Sequence, residues 1–236
     1  MKLLKTGVLL ATVVCLLNFS AYSQISNVSD VGGKPIMTKK YSKIEGSPYY
    51  FGTDTWMDGT LYTADGKKIE DIPIRFNGYD NEVEYRKDGN VLIIDNYNLK
   101  GFDFYFNSEF GESKKAKYTF RNGFSVSGEI EKTDFFNVIY QGENLSLIEE
   151  FKVLETRVTP ATYGASEYKK FVNDKRTFLI INDKVDKFKN RKRDFYNIAP
   201  EKKSEIKKQI KQNDLDLNNE NHVSFLLEYI DNNLIQ

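Results

Sequence analysis

The sequence predicts a mainly β fold: an antiparallel meander forming a curled sheet, partial barrel or sandwich, with a C-terminal helical hairpin that makes it α+β overall. Three observations carry this. Asp65-Gly66, Asn77-Gly78 and Asp88-Gly89 recur every 11 to 12 residues, and Asx-Gly pairs supply the positive φ angles of tight hairpin turns. The runs between them alternate apolar and polar side chains in a chain holding 15 Tyr and 17 Phe, whose rings pack across neighbouring strands. After about residue 190 the apolar period changes from two to between three and four.

The first segment, 1–23, reads as a cleavable signal peptide. Lys2 and Lys5 precede an apolar run from Gly7 to Phe19, and Ala21 and Ser23 are small residues two apart. At about 13 residues the run is shorter than the roughly 20 a membrane-spanning helix needs. Cys15 follows Val14 within that run, which is not where a lipid-anchor cysteine sits. Removal after Ser23 leaves 213 residues without cysteine, which excludes disulfides, thiolate metal sites and a cysteine nucleophile.

Residues 24–42 are polar, contain Gly32-Gly33 and Pro35, and read as a flexible lead-in. An antiparallel β domain is expected over 43–189. Its strands are expected at Gly59 to Thr63, Ile72 to Phe76, Glu82 to Arg86, Val91 to Ile94, Phe102 to Phe106, Tyr118 to Phe120, Phe124 to Ile130, Phe135 to Tyr140, Leu145 to Leu154, Thr177 to Ile181 and Lys184 to Phe188. Further turns are expected at Asn122-Gly123, Gln141-Gly142 and Asn182-Asp183. Nine to twelve strands in one meander must close or stack to avoid a long exposed edge.

Residues 190–236 form the helical segment, packed on the sheet or on a partner. Pro200 suits a first helical turn, with Ile206 and Ile210 as the apolar stripe. A second helix is expected from about Glu220 to Asn232, capped by Asn218 or Asn219, with Val223, Leu226, Leu227 and Ile230 at helical spacing.

Without the first segment, 32 basic residues face 34 acidic ones, so no global field recruits nucleic acid. No cofactor motif is present. His222 is the sole histidine and stands at the start of an apolar stripe without a nucleophile motif, so it reads as a surface residue. Asp214, Asp216 and Asn218 begin like a calcium loop, but Asn219 and Phe225 occupy the places of its glycine and bidentate glutamate; a connector is expected there. Asp54, Asp58, Asp65, Asp71, Asp80, Asp88 and Asp95 are numerous enough to supply a pair roughly five to ten ångströms apart, as a glycosidase uses. Most fall in turns, where aspartate bonds its own backbone.

Two surfaces remain as candidates. Tyr49, Tyr50, Trp56 and Tyr62 cluster early in the β region and would stack on sugars if exposed, or form core if buried. Lys189, Arg191, Lys192 and Arg193 belong to a segment, 184–211, with eleven Lys or Arg against four Asp or Glu. Outside the cytoplasm such a patch meets anionic lipid heads, cell-wall phosphates or an acidic partner; the ordinary alternative is a solvated helix face.

The stretches GSPYYF from Gly46 to Phe51, IPIRFNGYDNEVEY from Ile72 to Tyr85, FFNVIYQG from Phe135 to Gly142 and KKQIKQN from Lys207 to Asn213 resemble those of small exported β-rich proteins of Bacteroidota-type bacteria, a group without an assigned activity. The resemblance implies an envelope or secreted location and a β domain with a helical tail, and it brings no site residues. The function expected is an exported, non-catalytic binding or structural protein of the cell envelope, periplasmic or extracellular. Its partner would be an envelope protein or a glycan, with no membrane span in the mature chain. The alternative is a carbohydrate-active protein, either glycan-binding or hydrolytic through paired carboxylates. An outer-membrane barrel ranks below both, because the expected strands are short and carry charges throughout.

Overall fold

Among the described residues twelve strands hydrogen-bond into one sheet, whose order departs from a simple meander where β3 meets β7 and where two short strands join β6 and β11. The computed structural model describes residues 34–35, 41, 43–52, 55–105, 116–124, 131–162, 164–182 and 184–235. The signal-peptide segment, most of 24–42, and the expected strand from Phe124 to Ile130 beyond its first residue lie outside the described residues. The described residues all fall in one unit, Gly33–Gln236.

The strands are β1 (Lys34–Pro35), β2 (Ile44–Glu45), β3 (Met57–Thr63), β4 (Lys68–Asn77), β5 (Glu82–Lys87), β6 (Asn90–Ile94), β7 (Leu99–Tyr105), β8 (Ala116–Arg121), β9 (Phe136–Gln141), β10 (Leu145–Val158), β11 (Tyr168–Ile181) and β12 (Lys184–Phe188). Their spatial order is β1-β6-β5-β4-β3-β7-β8-β9-β10-β11-β12, with β2 added in parallel to β11. Strands β3 to β6 march one way. A short 3₁₀ turn, Asn96–Asn98, capped by the Asp95 side chain, then returns the chain to the open side of β3, where β7 begins the second run. Within 24–42, Lys34 and Pro35 pair with Ile93 and Leu92 of β6, a pairing their polar surroundings do not announce.

Alternation places Leu61, Ile74, Phe76, Phe102, Phe104, Phe120 and Phe151 on one face, all buried. Phe102 and Phe120 stack at 4.7 Å with 9° between planes, and Phe76 tilts against both at 5.4 Å. These rings draw the sheet into a curl. The Val153 N–H on β10 donates to the Gly78 carbonyl beyond β4 at 3.0 Å, and the Gly78 N–H donates to Pro48 O at 2.8 Å. A Cβ at Gly78 would stand 2.6 Å from the Phe151 ring, so only glycine lets β4 and β10 meet.

The glycines expected in turns therefore divide. Gly66, Gly89 and Gly123 have positive φ. Gly78 and Gly142 stand in the β4–β5 and β9–β10 connections without it; both are glycine because another group comes close, Phe151 in one case and the Asp231 carboxylate in the other. Asn81, with φ 53°, supplies the left-handed residue of the β4–β5 turn.

Three helices follow: α1 (Lys192–Tyr196), α2 (Lys203–Gln212) and α3 (Glu220–Asn233). The last carries its expected cap, the Asn219 side chain accepting from the Asn221 N–H at 2.9 Å. Pro200 opens a 3₁₀ turn, Pro200–Lys202, that leads into α2. Val223, Leu226, Leu227 and Ile230 of α3 and Ile206 and Ile210 of α2 are buried in a single cluster with Leu145, Leu147 and Leu179 of the sheet. The helical end thus packs on the sheet.

One buried carboxylate fixes that packing. Asp231 of α3, 2% exposed, accepts hydrogen bonds from the Tyr140 hydroxyl (3.0 Å), the Glu143 N–H (2.9 Å), the Asn144 N–H (3.1 Å) and Asn144 Nδ2 (3.0 Å). It closes the β9–β10 turn as well as docking the helix. Asp231→Ala orphans these donors, and about 2–4 kcal/mol of stability should be lost; urea unfolding measures it, and an unchanged midpoint contradicts the clamp.

The clamp also predicts an alkaline limit. Burial, then the hydrogen bond to Asp231, pushes the Tyr140 phenol up from about 10 to about 12. Its contribution is therefore complete below pH about 10 and is lost as pH rises towards about 12. Tyr140→Phe should lower stability at neutral pH and flatten part of the decline over that window, measured by unfolding across the alkaline range.

Candidate functional site

The four early aromatics do not form one surface. Tyr49 pairs by an isolated bridge with Asn77 at the end of β4 and is buried. Its hydroxyl donates to Glu84 Oε1 at 3.1 Å, while Arg75 Nε donates to Glu84 Oε2 at 2.6 Å. The Arg75 guanidinium lies 3.9 Å over the Tyr49 ring and 4.3 Å over Trp56, and Arg86 lies 4.2 Å over the same Trp56 ring. Planar guanidinium on an aromatic face is favourable, and here it occupies the face a sugar would need.

Tyr50 turns the other way, into the aromatic interior, 5.2 Å from Phe120 and 4.8 Å from Phe151. Tyr62 stands apart: its hydroxyl donates to Asp103 Oδ2 at 2.6 Å and Arg121 lies 4.4 Å over its ring. Burial first, then neighbouring carboxylates, pushes the phenols of Tyr49, Tyr50 and Tyr62 well above their usual range. Tyr49 and Tyr50 do share the rim of a groove of about 410 Å³ with Ser47, Gly52, Phe171 and Val172.

The basic end is more coherent. Phe195 of α1 is fully buried and packs edge-on against Phe188 at 5.0 Å, which turns Lys192 and Arg193 outward. Both are exposed, as is Lys189. Arg191 is engaged locally: its Nε donates to Asp194 Oδ2 at 3.1 Å, and that bond holds the Asp194 carboxyl below its usual range. Tyr196 stands one turn after Lys192 and Arg193 on α1, so the three side chains are neighbours. Lys203 and Lys207 reach the Tyr196 ring from α2, with Nζ at 5.5 and 5.7 Å from its centroid. Tyr196, Lys203 and Lys207 thus join the four cations that the sequence singled out. The four-residue spacing of Lys203, Lys207 and Lys211 was the signal that would have found them.

A third feature gathers two of the aspartates read from sequence, Asp80 and Asp95, with carboxylates that were not singled out. An open cleft of about 580 Å³ lies beside the β4–β5 turn and the 3₁₀ turn, bordered by Asp80, Glu82, Asp95, Glu131, Asp134 and Tyr97. Most of these carboxylates are committed to local structure. Asp80 accepts from Asn77 Nδ2 (3.1 Å) and from the Tyr41 hydroxyl, Asp95 from the Tyr97 N–H (3.0 Å), and Asp134 from Asn81 Nδ2 (3.0 Å) and the Glu131 N–H (2.9 Å). Asp65 likewise accepts from Thr63, and Asp71 and Asp88 adopt positive φ. Turn chemistry accounts for these aspartates except Asp71, which is the left-handed residue of an irregularity within β4; Asp54 lies outside the described residues.

His222 Nδ1 accepts from the Asp216 N–H at 3.0 Å, and the Asp216 carboxylate accepts from the Asn218 N–H and Nδ2. The 214–219 connector is thereby tied to the start of α3. Among the described residues no group of three or more His, Cys, Asp or Glu is arranged to hold a metal ion, and no helix is long and apolar enough to cross a membrane. Comparison with family models, curated proteins and solved structures returns no match.

Trp56 is the only tryptophan and therefore a direct reporter of its arginine contacts. Arg86→Ala should uncover part of the ring and raise quenching of the emission by iodide about two-fold or more, whereas Lys100→Ala should not; equal quenching in both would show that the stack does not shield the ring.

Proposed function

We propose that this chain is an exported, non-catalytic binding or structural protein of the cell envelope, and that its basic helical end meets an anionic partner. One observation carries the reading. On the strands six cations find carboxylates: Lys68 with Glu70, Arg75 with Glu84, Arg121 with Asp103, Lys169 with Glu155, Lys175 with Glu149 and Arg176 with Glu150, all within 2.9 Å, while Lys100, Lys152, Lys170 and Lys187, exposed and without an ion pair among the described residues, are scattered over four separate strands. At the helical end Lys189, Lys192, Arg193, Lys203, Lys207 and Lys211 are exposed and have no carboxylate within ion-pair distance among the described residues. A positive field left unneutralised over two adjoining helices attracts an anionic surface.

A second reading, glycan binding, is favoured by the groove shared by Tyr49 and Tyr50. It ranks lower because Arg75 already lies over the Tyr49 ring and the Tyr50 ring is packed against Phe120 and Phe151.

The test is sedimentation of purified mature protein, starting at Gln24, with isolated cell envelopes. Deleting 190–236 would strip Leu145, Leu147 and Leu179 of their cover, so charge reversal is the sound variant. The wild type should co-sediment at low salt and be released as ionic strength rises, since exposed charges are screened within about 10 Å at 0.1 M. Lys192→Glu/Arg193→Glu/Lys203→Glu/Lys207→Glu should remain in the supernatant. Equal sedimentation of both proteins would dismiss the basic end as the contact surface.

A further inference from the structure

Lys203, Lys207 and Lys211 are each four residues apart on α2, so they climb about 6 Å per step and drift by about 40°. They form a row about 12 Å long on the flank next to α1, while Ile206 and Ile210 bury the adjoining face. Lys192 and Arg193, a turn before Tyr196, stand across from the start of that row. The half-buried Tyr196 ring lies between, beneath Lys203 and Lys207. Cations are thus ordered along a line, at a step comparable with the repeat of an extended sugar chain.

We infer that the partner of this surface is an acidic polysaccharide, a sugar chain with an anionic group on successive residues, lying along Lys203, Lys207 and Lys211 with Lys192 and Arg193 at its side. The inference rests on the reading of the basic end as a contact surface, and names its occupant. Two rivals fit the cluster less well. A nucleic acid single strand needs open ring faces on which bases stack, and the only ring here is covered by two ammonium groups. A bilayer surface rewards an exposed apolar side chain that enters it, whereas Phe188, Phe195, Ile206 and Ile210 beside the row are all turned inward, and the exposed Phe225 belongs to α3, outside the row. An acidic polysaccharide asks for neither. It needs several modest contacts made at once, and affinity then grows with the number of linked charges.

The experiment titrates full-length mature protein with polygalacturonate, with digalacturonate, with neutral dextran, and with vesicles of phosphatidylglycerol and phosphatidylcholine in equal parts, at low salt. Polygalacturonate should bind at least tenfold more tightly than digalacturonate per charge, and dextran should not bind. Lys203→Glu/Lys207→Glu/Lys211→Glu should lose at least tenfold in affinity, and the milder Lys203→Gln/Lys207→Gln/Lys211→Gln should also weaken it. Reversal of Lys43, Lys100 and Lys152, exposed elsewhere, should leave it unchanged; circular dichroism confirms that each variant is folded. Equal binding of dimer and polymer, or equal loss in the control triple, overturns the row. Binding to vesicles without binding to polygalacturonate overturns this occupant and leaves the basic end as a contact surface for another anionic partner. Failure of the polymer to bind while envelopes still sediment the protein overturns the polysaccharide alone, and failure of both overturns the two readings together.

Discussion

A carboxylate buried without a cation holds the two halves of this fold together. Asp231 reaches from the last helix into the β9–β10 turn and receives four hydrogen bonds there, two of them from backbone N–H groups. Burying a charge is costly unless donors replace its water, and here a turn is shaped to provide them. The geometry leaves no room for a side chain at residue 142, where a Cβ would overlap the Asp231 carboxylate. Once α3 is docked, Val223, Leu226, Leu227 and Ile230 meet Leu145, Leu147 and Leu179, and Ile206 and Ile210 bring α2 into the same cluster. The outward direction of Lys203, Lys207 and Lys211 is a consequence of that inward anchoring.

Much of the fold was legible because local rules and global burial agree along the strands. Ile72, Ile74 and Phe76 alternate in sequence and are all buried on one face, and α3 begins and is capped where its sequence says. The return of β7 beside β3 was not legible, because strand order depends on contacts between distant segments. Gly78 and Gly142 were legible as glycines but not for the right reason. An Asx-Gly or Gln-Gly pair at a strand end signals a turn, yet what requires glycine at these two positions is an approach from Phe151 and Asp231, 73 and 89 residues away in sequence.

The site divides the same way. Lys192 and Arg193 stand exposed where composition pointed, but Arg191 turned out to be engaged with Asp194 three residues on. The aromatic set dispersed because the segment before β3 turns between its rings: Tyr49 and Trp56 meet Arg75 outside, while Tyr50 joins Phe120 and Phe151 inside. What covers each ring is an arginine or a phenylalanine from another strand, which no inspection of residues 49–62 alone reveals. The carboxylates around Asp80 and Asp134 form a cleft for a similar reason, since the turns that use them converge at one end of the sheet.

Charge is handled differently in the two halves, and the contrast bears on function. On the sheet face opposite the aromatic interior, the buried carboxylates Glu84, Asp103 and Glu150 each hold an arginine, Arg75, Arg121 and Arg176. The ladder sets Arg75 opposite Glu84 and Arg176 opposite Glu150, while Arg121 reaches Asp103 diagonally across the β7–β8 ladder, and cross-strand neighbours sit close enough to pair. Lysines on α2 have the equivalent opportunity, because side chains four apart are neighbours and a glutamate at either place would neutralise them. Instead Lys203, Lys207 and Lys211 neighbour one another, an arrangement that is mildly destabilising in isolation. A near-neutral chain thus gathers several unpaired cations side by side on one helix flank, where those on the strands stand apart, and an anion bound there would relieve the repulsion among them.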